Sequence, residues 1–301
     1  MGLCTSTKSS DQRLEAMKWY FGKRHCRSIT FIADTAGNQD GKYFDLNTFD
    51  YDYTEKRYVV LLSDGTTTTA PLAPNQTLVL VSYTTGASAS AIATAYAAAL
   101  SALNFRTEVV GAVVETQNFF VGKVTTEVNS SATGLTFAVG AIGFGGYIGQ
   151  TGESELTTTV EVVQLVDDAQ GTVIQDEIIT GYGAEISIPL REMSTQRWKD
   201  LVGSVTGNNI TIDAADVTGW GTKKLYQSMF NFSGRLVGHP VRNQEVIISE
   251  DITMLNTAPK LESINFSGSS IQEASFMFTS YKDANAPEEI NLLARGDHTK
   301  F

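Results

Sequence analysis

Hydrophobic and polar positions change their period several times along the chain, and each change predicts an element. From 9 to 26, Leu14, Met17 and Phe21 recur at helical spacing with Trp19 and Tyr20 widening the stripe, which predicts an amphipathic N-terminal helix. Ser10 is a candidate N-cap, but Arg13 stands where a capping box needs an acid. Short strands follow at 29–33, 42–47 and 57–63, punctuated by the turn pairs Asp40-Gly41 and Asp64-Gly65. A further strand is expected at 77–84. The Ala-rich stretch 88–103 reads as the main helix, closed by Asn104. Strand character returns at 106–114, 118–128 and 135–139.

Beyond the glycines 140, 143, 145, 146 and 149, the pattern is almost wholly that of strands. Strands are expected at 156–166, 177–181 and 184–190, the last with strict alternation through Glu185, Ile186, Ser187 and Ile188. A short helix capped by Ser194 spans 194–202 and stops at Gly203. More strands follow at 209–212, 225–237, 245–254, 263–266 and 273–281. These elements predict an α+β chain, predominantly β. Its parts are a basic helical arm (1–28), an α+β module (29–140) and a β domain (141–301).

Composition narrows the function. Of the 301 residues, 42% are hydrophobic and 18% charged, enough to build cores and too apolar for a disordered chain. The net charge of −11 argues against a protein that grips nucleic acid through a basic face. The balance is uneven: residues 1–28 hold six basic side chains against two acidic, so the other 273 carry −15. A basic arm on an acidic body suits an acidic partner, including a second copy. Arg13, Met17, Trp19, Tyr20 and Phe21 are its candidate inter-subunit residues.

Catalytic chemistry finds no footing. Two cysteines, Cys4 and Cys26, cannot make a four-cysteine zinc site, and His25, His239 and His298 lie too far apart for ligand spacing. No GxSxG, HExxH or CxxC occurs, and the 140–149 glycines do not fit GxGxxG. Those glycines read as an interdomain turn. Asp50 and Asp52 alternate with tyrosines as a solvated strand face would, and His239-Pro240 reads as the cap of a strand ending at Gly238. Five N-x-[ST] sequons are what a Ser/Thr-rich chain contains by chance. The first 28 residues lack the apolar run of a secretory signal. The charge-free stretch 65–105 is broken by Pro71 and Pro74 and is too rich in Ala, Ser and Thr to span a membrane. The expectation is a soluble, non-enzymatic protein without cofactor, metal or membrane partner.

The run 146–203 resembles the core of the major tail tube proteins of tailed bacteriophages. A Thr/Val/Glu strand (156–166) leads into the acidic turn at Asp167 and Asp168. A strand ending in Thr180-Gly181, an apolar strand (184–190) and a short helix (194–202) follow. The run 234–283 adds His239, Pro240 and Arg242, then Ser249–Asp251 and the Ala258-Pro259 loop. The resemblance covers about half the chain and lies in the order of elements; the N-terminal helix departs from the simplest members. It implies a β-sandwich or barrel that polymerises as stacked hexameric rings in the virion, with other tail proteins as partners and DNA passing through the lumen without specific binding. An acidic wall would keep DNA from adhering, and Glu155, Glu161, Asp167, Asp168, Asp176 and Glu177 are the candidate lumen residues. The alternatives are a neck, tail-terminator or decoration protein of the same virion, or a β-rich surface adhesin.

Overall fold

The computed structural model describes residues 16–50, 54–122, 124–125, 134–141, 143–167, 173–191, 201, 234–242, 245–265, 273–283 and 286–300. The chain is predominantly β, with fifteen strands and one α-helix of three turns among these residues. It divides into two compact units, Phe21–Tyr147 and Met1–Tyr20 with Ile148–Phe301. The strand β1 (Ala16–Thr30) contributes its first residues to the second of these and the rest to the first.

This strand corrects the reading of the N-terminus. No helix forms over 16–26, and Trp19, Tyr20 and Phe21 are all buried in their own chain, not held out on an arm. Three consecutive buried aromatics mean that both faces of the strand are covered, which erases the period-two signal and leaves an accidental helical spacing. Met17, also in β1, lies against Gly238 together with Trp19. Arg13 and the rest of 1–15 fall outside the described residues.

In the unit Phe21–Tyr147, β2 (Tyr43–Phe49) and β3 (Glu55–Ser63) pair antiparallel, and β4 (Gln76–Ser82) joins β3 in parallel. Tyr58–Ser63 are buried without a break, as a central strand with two covered faces requires. The helix α1 (Ala89–Leu100) is capped by Ser88, whose Oγ accepts the Ala91 amide. It buries Ile92, Ala93, Tyr96 and Leu100 in a core shared with Phe31, Phe44, Val60 and Phe105. A second set of strands runs β5 (Phe105–Val110), β6 (Val113–Val121), β1, with β7 (Thr136–Ala141) on the other side of β1. Gly111, at φ +63°, makes the β5–β6 turn, so the strand break comes before Val114. The glycine stretch is not merely a turn: β8 (Phe144–Tyr147) forms inside it and pairs with β1.

The other unit is a series of antiparallel strands in the order β11 (Gly234–Arg242), β13 (Ile252–Asn265), β14 (Glu273–Ser280), β10 (Val173–Leu190), β9 (Glu155–Asp167). Two-residue strands, β12 (Glu245–Val246) and β15 (Ala294–Arg295), add to β11 and β13. Three expectations change here. The Ala258-Pro259 loop, expected between strands at 245–254 and 263–266, is the middle of the continuous strand β13. The strand pair expected at 177–181 and 184–190 is one continuous strand, because Thr180-Gly181 is a bulge and not a turn. β11 does not end at Gly238; it carries His239 and Pro240 inward to Arg242, with His239 fully buried. The helix expected at 194–202 and the strand at 209–212 lie outside the described residues, apart from Leu201.

Candidate assembly surface

The β9–β10 hairpin is where the candidate lumen residues fall, and its two halves differ. Near its base, residues 185–190 of β10 pair with β14, and Ile186 and Ile188 bury opposite Phe278 and Phe276. Beyond Ala184, β10 has only β9 beside it among the described residues. β9 is the last strand of the series, so its outer backbone groups face no neighbouring strand among the described residues. Every residue from Glu155 to Gln164 is exposed.

Register sorts these side chains by face, because residues directly opposite across an antiparallel pair share a face. On one face Leu156 stands opposite Ile186, Thr158 opposite Ala184, Val160 opposite Tyr182 and Val162 opposite Ile179. The stripe thus continues the buried core outward into solvent. Leu156 is 41% exposed, Val160 52%, Val162 43%, Ile179 51% and Tyr182 65%. An open groove of about 520 Å³ lies along it, lined by Thr158, Val160, Tyr182 and Ala184 on the hairpin and by Glu288 and Leu293 opposite.

The other face carries Glu155, Thr157, Thr159 and Glu161, with Gly181 and Gly183 across from the last two, and ends in Val163 opposite Ile178. Asp176, opposite Leu165, belongs to this face as well, whereas Glu177 lies on the apolar-stripe face and accepts from Gln164 Nε2 at 3.0 Å. Glu155, Glu161, Asp176 and Glu177 are all exposed. Asp167 ends β9, and only its backbone is described; Asp168 lies outside the described residues. The hairpin therefore has an apolar face and a Thr/Glu face.

Edge strands of soluble proteins are normally blunted by charge, proline or brevity. From 156 to 166, β9 holds one charged residue, Glu161, and no proline. Sequence reading found the strand but missed the stripe, since exposure of an apolar position is decided by whatever packs against it. The remaining predicted positions go elsewhere. Asp50 pairs with Lys56 at 3.3 Å, and Asp52 lies outside the described residues. No helix among the described residues is long and apolar enough to cross a membrane. No protein-family model matches the chain, and no curated protein matches it.

Proposed function

We propose that the protein is a virion structural subunit, the major tail tube protein of a tailed bacteriophage, which polymerises into stacked rings that conduct DNA. The observation that carries this reading is the half-exposed apolar stripe on a hairpin whose outer edge has no partner strand among the described residues. Contiguous exposed apolar surface of this kind is unusual on a monomer and normally marks an interface. A second copy covers it by packing on the stripe and by continuing the sheet at β9, using main-chain hydrogen bonds that need little side-chain specificity. In this proposal the contact is heterologous, with a rotation that closes a ring on repetition around an axis. Glu155, Glu161 and Asp176, on the face away from the stripe, then supply acidity towards the bore, where negative charge keeps DNA from adhering.

The test is negative-stain electron microscopy of the purified chain over a range of concentrations. The expected result is hollow tubes or stacked rings. Short capped rings without tubes would favour a neck or terminator role, and a persistent monomer would overturn the proposal.

A further inference from the structure

Three buried side chains away from the β9–β10 hairpin come together from distant parts of the sequence. His239 lies in β11, Asp251 immediately before β13, and His298 in the 3-10 turn His298–Lys300. The β11–β13 register pairs Val237 with Thr253 and Gly238 with Ile252, which makes His239 and Asp251 cross-strand neighbours. The Asp251 carbonyl accepts the Gly296 amide at 2.8 Å, and Ala294 pairs with Thr253, so the chain end is carried over the same carboxylate. His239 Nδ1 lies 2.7 Å from Asp251 Oδ1, and His298 Nδ1 lies 2.6 Å from Oδ2. The three residues are 0%, 0% and 1% exposed for His239, Asp251 and His298. Their donor atoms fall within 4.8 Å of one another. The rings stand 5.0 Å apart, and the Tyr20 ring closes one side at 5.1 Å from His239.

We propose that His239, Asp251 and His298 form a buried site for a divalent cation of the zinc class, which clamps the C-terminal turn to the sheet. Two imidazole nitrogens and one carboxylate oxygen are a donor set that zinc accepts, whereas calcium and magnesium ask for oxygen alone. Metal–donor bonds of about 2.0–2.2 Å in a tetrahedral arrangement need donors roughly 3.4 Å apart. Entry of the ion therefore opens each N···O pair by roughly 0.7 Å, a side-chain adjustment, while the backbone hydrogen bonds already hold the three segments together. The Nδ1 protons leave the donor atoms: each imidazole keeps one proton on Nε2, and any proton shared beyond that passes to solvent. A fourth position suits a water. Thr253, fully buried and two positions along β13 from Asp251, has a hydroxyl without a hydrogen-bond partner among the described residues, on the face that Asp251 shares.

The experiment uses the untagged full-length chain, stripped with EDTA and titrated with Co²⁺, both as the native protein and during refolding from denaturant. The refolding arm admits the ion even if the closed site excludes it. One equivalent of Co²⁺ with visible d–d absorption, displaced by Zn²⁺ and accompanied by a rise in Tm, is the expected result. His298→Ala removes a ligand from the last turn and should abolish both the absorption and the Zn²⁺-dependent rise. Asp251→Asn, which keeps the side chain's shape but replaces a ligating carboxylate with a neutral amide, should weaken binding by more than the about tenfold that losing an outer-shell partner costs. Absence of stoichiometric uptake in both arms, or uptake that His298→Ala leaves unchanged, would show a hydrogen-bonded structural cluster only and overturn the proposal.

Discussion

Val162→Glu is the substitution that most directly probes the hairpin. Val162 is 43% exposed, midway along the stripe and opposite Ile179. Burying a large apolar side chain completely is worth about 1.5–3 kcal/mol, so each half-exposed member has about 1 kcal/mol left to gain at an interface. The five members together offer about 5 kcal/mol, before the costs of association. A glutamate at 162 forfeits one share and adds the desolvation of a carboxylate, for a total loss of about 2–4 kcal/mol per contact. That lowers the association constant roughly 30- to 1000-fold. The folded monomer should be almost indifferent, since an exposed position away from special features shifts stability within about 0.5 kcal/mol. Sedimentation velocity over a concentration series, with thermal unfolding alongside, reads both quantities. Thr159→Glu places the same charge on the opposite face, across from Gly183, and serves as the control. Assembly of Val162→Glu at wild-type concentrations, or equal disruption by Thr159→Glu, would refute the assignment of the contact to the apolar face.

Three further outcomes test the unit Phe21–Tyr147. Burial, and secondarily the Arg27 guanidinium, lower the His25 pKa to about 4, while its Nδ1 accepts the Gly143 amide at 3.3 Å. The unfolded chain binds that proton near pH 6.5, so stability is full above about 6.5 and lost as pH falls towards 4, by about 2 kcal/mol after allowance for solvent. His25→Asn should flatten this part of a Tm-versus-pH profile; an unchanged slope rejects the assignment. Arg27, itself buried, donates to Asn118 Oδ1 at 2.7 Å and to the Asn47 carbonyl at 3.2 Å, with its guanidinium 5.6 Å from the Phe105 ring centre. Asn118→Leu removes one acceptor from a buried charge and should lower the unfolding free energy by about 2–3 kcal/mol in urea melts. Gly145 has φ +83°, and a Cβ there would overlap the Phe21 carbonyl oxygen, so Gly145→Ala should cost more than about 3 kcal/mol. Gly65→Ala, at φ +103° with open space around it, should cost only about 1 kcal/mol, and equal losses in the two variants would reject the overlap.

The sequence alone determined the β-rich class, the helix starting after Ser88 and most strand positions, because these rest on local period, turn glycines and capping. β2, β3, β4, β9 and β14 lie within a few residues of where alternation and apolar runs put them. Tertiary structure decided the rest. β1 reads as a helix locally and becomes a strand because β6, β7, β8 and β11, all distant in sequence, pair with its backbone. Thr180-Gly181 has the composition of a turn, but pairing with β9 on both sides of it holds the strand straight through a bulge. Whether Val160 or Tyr182 is core or surface depends on the reach of β14, which pairs with β10 only as far out as Glu185. His239 and His298, 59 residues apart, meet on one carboxylate only because β11, β13 and the C-terminal turn converge there. Local periodicity reports which faces of an element are apolar; what covers those faces is a property of contacts between distant segments, and no window along the chain contains it.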